Sequence, residues 1–272
     1  MKIDKIRSAF EKAKNEGRIA LIPYITVGFP EIGQTTEIVR SLVDNGADAI
    51  ELGVAFSDPL GDGPTIQASG HKALMNGVTP EHCFKVVKKI RSEGIDVPII
   101  FMGYYNTIFN IGLREYCQAG AEAGIDGIIA ADLPVAEAGP LQDACDENGI
   151  ALIPLVAITS TDHSIERACK KAKGFIYCIS LLGVTGARSS MSTRVEGLVD
   201  KVRKFTNLPI AVGFGISSAD HVCEVARFAD GAVVGSQMIN TLADGNSDEA
   251  AERVGGYIKS LIPGTTRKVV AN

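Results

Sequence analysis

Residues 97–131, VPIIFMGYYNTIFNIGLREYCQAGAEAGIDGIIAA, carry the pattern that decides the fold. Two short apolar runs, 97–102 and 127–131, flank a longer amphipathic run over about 112–124. The apolar runs lack polar alternation, as parallel strands covered by helices do. The same unit repeats outward in both directions. Further strands are predicted over 19–25, 47–52, 151–156, 174–179, 209–212 and 231–234, which makes eight. Helical patterns lie between and after them, at about 31–46, 80–94, 135–149, 161–172, 191–205, 217–228 and 247–261. Eight βα units in 272 residues predict an α/β fold, a (β/α)8 TIM barrel. The alternative is a doubly wound open sheet. No linker rich in Pro, Gly or Ser interrupts the series, so residues 1–272 are expected to form one domain. Ahead of the first strand, Ile3, Ile6, Phe10 and Ala13 fall on one side of an amphipathic stretch. This extra N-terminal helix is expected to plug the bottom of the barrel.

Composition excludes several function classes. Hydrophobic residues make up 46% and charged residues 22%, which supports a large core and excludes disorder as the main state. The net charge is −5, and basic residues do not cluster beyond short helical runs such as Lys88-Lys89. Nucleic-acid binding is therefore not expected. No apolar run approaches the roughly 18 residues of a membrane span, and the N-terminus lacks a signal peptide's apolar core. The six cysteines are scattered without a CxxC and read as buried thiols in a reducing cytoplasm. The four histidines stand singly, so no metal site is expected.

The chemistry-bearing residues start on the second strand, Asp48-Ala49-Ile50-Glu51-Leu52-Gly53. Alternation puts Ile50 and Leu52 on the helix-facing side and Glu51 inside the barrel near its C-terminal mouth. A carboxylate there is poorly solvated, which raises its pKa toward general acid–base work. A salt bridge to a neighbouring strand is the competing reading. Asp62 follows on a loop shaped by two glycines and two prolines, Phe56-Ser57-Asp58-Pro59-Leu60-Gly61-Asp62-Gly63-Pro64. Asp58 and Asp62 there read as turn formers or, on weak evidence, as a Mg²⁺ pair, and Asp62 reads alternatively as catalytic. Glycine-rich turns follow the last three strands: Leu182-Gly183-Val184-Thr185-Gly186, Gly213-Phe214-Gly215-Ile216-Ser217 and Gly235-Ser236. Barrels commonly bind phosphate on such turns, with backbone N–H groups and the N-terminus of a short extra helix. No lysine lies at the C-terminal end of a predicted strand, so a Schiff-base aldolase mechanism has no nucleophile.

These motifs resemble the tryptophan synthase alpha chain family. Glu51-Leu52-Gly53-Val54, Phe56-Ser57-Asp58-Pro59 and Asp62-Gly63-Pro64-Thr65-Ile66-Gln67 carry the resemblance most specifically. Pro23 through Gly28, Tyr104, Asn106, Ala131-Asp132-Leu133-Pro134, Tyr177 through Gly186, Gly213 through Ile216 and Gly235-Ser236 are similar to that family in chain order. The resemblance implies a lyase that cleaves indole-3-glycerol phosphate to indole and glyceraldehyde 3-phosphate. It implies Glu51 and Asp62 as the catalytic pair, with Tyr177 and the loop residue Thr185 in support. Gly186, Gly215, Gly235 and Ser236 would hold the phosphate, and Tyr24, Met102, Ile129 and Phe214 would line the indole pocket. It also implies no cofactor on this chain, and a pyridoxal-phosphate-dependent beta chain as partner in a cytoplasmic alpha2-beta2 heterotetramer. Three other readings stay open: a stand-alone lyase, a non-catalytic activator of the beta chain, and another phosphate-binding barrel enzyme. Retention of both carboxylates weighs against the second. The missing strand-borne lysine weighs against an indole-glycerol-phosphate synthase.

Overall fold

The computed structural model describes residues 2–179, 188–213 and 215–267. Nine parallel strands are described: β1 Ala20–Thr26, β2 Ile50–Gly53, β3 Ile99–Gly103, β4 Gly127–Ala130, β5 Ala151–Leu152, β6 Leu155–Ala157, β7 Ile176–Ile179, β8 Ile210–Gly213 and β9 Gly231–Val234. The helices are α1 Lys2–Asn15, α2 Thr35–Asp44, α3 Pro64–Met75, α4 Pro80–Ser92, α5 Tyr105–Ile111, α6 Leu113–Ala123, α7 Gly139–Glu147, α8 Asp162–Lys171, α9 Arg188–Arg203, α10 Ala219–Val225, α11 Ser236–Ala243 and α12 Ala250–Leu261.

The strand order runs β5-β4-β3-β2-β1-β9-β8-β7-β6. Its two ends are halves of one predicted strand. Pro154, which has no N–H, interrupts the ladder between them. The chain bonds to both neighbours across this break: Ile153 N donates to Ile128 O on β4 at 2.9 Å, and Pro154 O accepts from Tyr177 N on β7 at 3.2 Å. The covalent link between β5 and β6 thus closes the sheet on itself, and the expected barrel of eight strand units is observed. The open-sheet alternative is not.

Inside the barrel, Ala20, Ile22, Ala49, Ile100, Ile129, Ala151, Ile153, Phe175, Ala211 and Val233 pack as one cluster with Ile6, Phe10 and Ala13 of α1. The helix plugs the floor as its periodicity predicts. Glycines make room for it. A Cβ on Gly231 would sit 2.8 Å from Phe10 Cε1, and one on Gly127 would sit 3.3 Å from Ile6 Cδ1 and 2.8 Å from Ile153 Cδ1. Phe10 in turn packs on Phe175 with ring centroids 5.4 Å apart.

A recurring aspartate fixes the strand starts at this end. Asp48, Asp126 and Asp230 stand just before strands, and their carboxylates accept the backbone N–H of Leu21, Ile99 and Ile210 on adjoining strands, at 2.8–2.9 Å. Each also holds arginine: Arg18 on Asp48 at 2.6 Å, Arg91 on Asp126 at 2.6 Å, and both Arg203 and Arg267 on Asp230. Buried carboxylates survive here because charge and N–H donors both meet them. The motif is visible afterwards as Asp-Ala-Ile, Asp-Gly-Ile and Asp-Gly-Ala, but no sequence expectation covered it.

Three helices were not expected: α3, α5 and α11. Each lies in a connection that reads as loop, because its apolar stripe is short. Pro64 at the first turn of α3 and the unpatterned start of α11 after Gly235 hide both from a periodicity reading. All three sit at the C-terminal mouth, where they shape the site.

Candidate active site

Tyr24 and Glu51 are register partners across the parallel β1–β2 pair, so their side chains point the same way, into the barrel. Glu51 is 1% exposed, and neither carboxylate oxygen has a hydrogen-bond partner among the described residues. The salt-bridge reading of Glu51 is therefore not what the fold adopts. Burial, and secondarily the charge of Asp62, push its pKa up to about 8. A buried carboxyl without donors or cations is held in its neutral form at neutral pH.

The loop after β2 is folded by its own backbone. Leu60 N bonds Asp58 O at 2.9 Å, and Asp62 N bonds Pro59 O at 3.0 Å. Gln67 on the first turn of α3 donates to Asp62 O at 2.9 Å. Asp58 faces solvent as a turn residue, bonded by the Ser57 hydroxyl. Asp62 instead lies half-buried over the barrel. Burial pushes its pKa up to about 6, and a hydrogen bond from the Tyr104 hydroxyl acts against that rise. The Tyr104 oxygen also accepts from Gly61 N at 2.9 Å, and its ring stacks on Phe56 at 5.2 Å between centroids. Tyr104 thus pins the loop that presents Asp62. The sequence gives only a tyrosine just past β3 as its signal, and no role was expected for it. Among the described residues no group of three or more His, Cys, Asp or Glu could hold a metal ion, so the Mg²⁺ reading of the loop has no ligand set.

Two tyrosines lie across strand ends that lack a side chain. A Cβ on Gly53 would fall 2.1 Å from Tyr24 Oη, and one on Gly213 would fall 2.5 Å from Tyr177 Oη. The glycines leave space for rings that would otherwise collide with the barrel wall. Burial pushes both phenols upward, and for Tyr177 the negative charge of Glu51 adds to this. The Tyr24 hydroxyl stands 3.4 Å from Thr26 Oγ1, which is 2.7 Å from Ser69 Oγ on α3.

A cavity of about 420 Å³ opens above this layer. Of the expected site residues it is lined by Asp62, Met102, Tyr177, Gly215, Gly235 and Ser236. Glu51, Tyr24 and Ile129 are buried and not in its walls. Thr185, Gly186 and Phe214 lie outside the described residues. At the far side of the cavity, Gly235 is the N-cap of α11 and has no side chain to cap it. The first N–H groups of that helix are left for a ligand, and the helix dipole favours an anion there. Gly215 has φ +48°, in the left-handed region where glycine is favoured. Ser217, from the predicted turn after β8, adds a polar group to the same wall, as do Gln237 and Asn240, which were not expected. Asp62 thus lines the cavity, Glu51 is buried outside its walls, and the uncapped N-terminus of α11 also borders it.

A sequence profile of the tryptophan synthase alpha chain matches residues 10–260. The chain belongs to the tryptophan synthase alpha chain family. It is 44% identical over 259 residues to the tryptophan synthase alpha chain of Roseiflexus castenholzii, covering 95% of this chain and 99% of that one. Tryptophan synthase of Saccharomyces cerevisiae is 40% identical over 269 residues, and there 98% of this chain matches 38% of the yeast protein. Among solved structures, tryptophan synthase subunit alpha from Legionella pneumophila aligns with a TM-score of 0.89 at 30% identity, over 96% of this chain and 98% of that one. The family's role in tryptophan biosynthesis, cleavage of indole-3-glycerol phosphate, is the role of this chain. The reading as a different phosphate-binding barrel enzyme falls away.

Proposed function

We propose that Glu51 and Asp62 carry the lyase reaction by acid–base chemistry, with the phosphate on the turn before α11. The observation that supports this best is the pair of carboxyls with different surroundings, one pushed up to about 8 and one to about 6. At neutral pH Glu51 holds its proton and Asp62 is mostly ionised. Glu51 protonates indole C3, which makes the ring an electron sink. It then takes the proton of the glycerol hydroxyl as the carbon–carbon bond breaks and the carbonyl of glyceraldehyde 3-phosphate forms. Asp62 accepts the indole N–H and stabilises the positive charge that grows on that nitrogen. Tyr177 and Met102 pack against the reacting carbons and the ring, over a floor of Tyr24 and Ile129. Phe214, Thr185 and Gly186 complete the indole wall, the closing loop and the phosphate cradle in this reading. The reaction needs no cofactor on this chain.

The phosphate cradle has its own test. A Cβ on Gly235 would meet only Ile66 Cδ1 at 3.7 Å and Tyr24 Cβ at 3.9 Å, so the fold accepts one there. A longer side chain would occupy the ground where an anion meets the N–H groups of α11. Gly235→Leu is expected to raise KM for the phosphorylated substrate at least tenfold while kcat changes much less. An unchanged KM in steady-state kinetics would move the phosphate elsewhere.

The partner is a pyridoxal-phosphate-dependent beta chain in an alpha2-beta2 heterotetramer in the cytoplasm. Large apolar residues stand exposed on the mouth, among them Leu60, 92% exposed on the loop after β2, and Phe109, 61% exposed on α5. Large exposed apolar side chains near a site suit a protein interface. Docking there would hold the Asp62 loop closed. Linkage then requires that a substrate analogue on this chain tighten the beta chain as much as the beta chain tightens the analogue. Titrating the beta chain while following indole release tests the function and the coupling together. A several-fold rise in rate is expected. Release of indole with no response to the beta chain would favour a stand-alone lyase, and no indole release in either case would leave only an activator.

A further inference from the structure

At the closed end of the barrel, away from the mouth, a cavity of about 360 Å³ is lined by Arg7 and Lys14 of α1, Arg18, Arg203 at the end of α9, and Arg267. Its carboxylates are Glu11 and Asp230. The sequence as a whole is acidic, with 27 Lys and Arg against 32 Asp and Glu, so this concentration of cations is local. Arg18 is accounted for by Asp48 and Glu16. The others are not. Arg203 and Arg267 converge on the single carboxylate of Asp230. Arg267 Nε is buried with no hydrogen-bond partner among the described residues. Lys14 is exposed and has no partner carboxylate among the described residues, and Arg7 reaches Glu11 only at 3.8 Å. A buried donor without an acceptor is costly, and arginine forks match phosphate oxygens in geometry.

We propose that this floor cavity binds a small phosphate-type polyanion, separate from the phosphate cradle at the mouth. The ligand bridges α1 to the strand starts of the barrel scaffold, because Arg7 and Lys14 belong to the plug helix while Arg203 and Arg267 are anchored through Asp230 at the starts of β8 and β9. It neutralises the surplus positive charge of this lining. Occupancy therefore stabilises the seating of the plug helix, by an amount that grows with ligand concentration.

Inorganic pyrophosphate is the probe, titrated calorimetrically into the full chain at ionic strength matched with sodium chloride. Two sets of variants separate the two anion sites. Lys14→Glu with Arg7→Glu reverses the exposed charges of the floor and touches no mouth residue. Gly235→Leu blocks the mouth only. The wild type is expected to take up pyrophosphate at two sites, with the double variant losing the floor site or weakening it at least tenfold, and with lyase KM unchanged within twofold. Lys14→Gln alone, which keeps the helix intact, is expected to weaken the floor site about threefold or more. A single wild-type site that Gly235→Leu removes and Lys14→Gln leaves untouched would overturn the proposal. A single site with the opposite pattern would uphold it and refute the mouth cradle instead.

Discussion

Glu51→Gln is expected to abolish lyase turnover and, in the same molecule, to stabilise the fold at alkaline pH. The loss follows from removing the buried carboxyl to which both proton transfers are assigned. General acid–base groups are worth roughly 10²–10⁴-fold, and here one group serves two transfers, so the upper end or more is expected. The gain follows from linkage. Glu51 titrates near 4.5 when unfolded and is pushed up to about 8 in the fold. Between these values the folded chain holds a proton that the unfolded chain has released. Stability contributed by this group is thus present below about pH 4.5 and is lost as pH rises through about 8. Glutamine does not titrate and escapes the loss. After allowance for water entering the site, the variant should exceed the wild type by on the order of 2–4 kcal/mol above pH 8 and differ little near pH 4.5. Urea unfolding at both pH values, beside indole-release kinetics, checks both halves. A tenth or more of wild-type turnover, or parallel stability–pH curves, would remove Glu51 from the role assigned to it.

Asp62→Asn is expected to cost about 10²–10³-fold in kcat, the scale seen when one preorganised transition-state group is lost. The amide keeps the loop's shape but no longer carries the negative charge that favours an electron-poor indole nitrogen. Substrate-analogue affinity should change only a few-fold, because the ground-state indole is neutral. The pH profile adds a sharper criterion. In the wild type, kcat/KM should rise through about 6 as Asp62 ionises and fall through about 8 as Glu51 loses its proton, with the two limbs belonging to the coupled pair. The asparagine variant should lose the acid limb and keep the alkaline one. Isothermal titration with an indole–phosphate analogue and a kcat/KM–pH series measure these. Collapse of binding with kcat intact would make Asp62 a structural residue of the loop after β2.

How much of this was legible before folding depends on the range of the forces involved. Strand and helix order, the eightfold repeat and the inward aim of Glu51 follow from period and alternation, which are properties of neighbours along the chain. The same holds for the plug helix, since Ile6, Phe10 and Ala13 lie at helical spacing. The glycine turns point to the proposed anion site for a similar reason: a missing Cβ is a local fact. Motif resemblance supplied the residue roles that no periodicity supplies. What stayed hidden was set by contacts distant in sequence. That Pro154 divides the fifth strand and still closes the barrel depends on β4 and β7, which bond its two sides. The Asp48, Asp126 and Asp230 rim is a set of ordinary residues until each meets its arginine and its neighbour's N–H. Tyr104 becomes the support of Asp62 only because β3 brings it under a loop some forty residues earlier. The separation of the two carboxyl pKa values is likewise a property of the folded barrel, for desolvation of Glu51 exists only once eight strands surround it. The sequence by itself determined which groups could do the chemistry; burial and distant partners, created only by tertiary structure, decided their protonation states and positions, because desolvation and electrostatics act through space rather than along the chain.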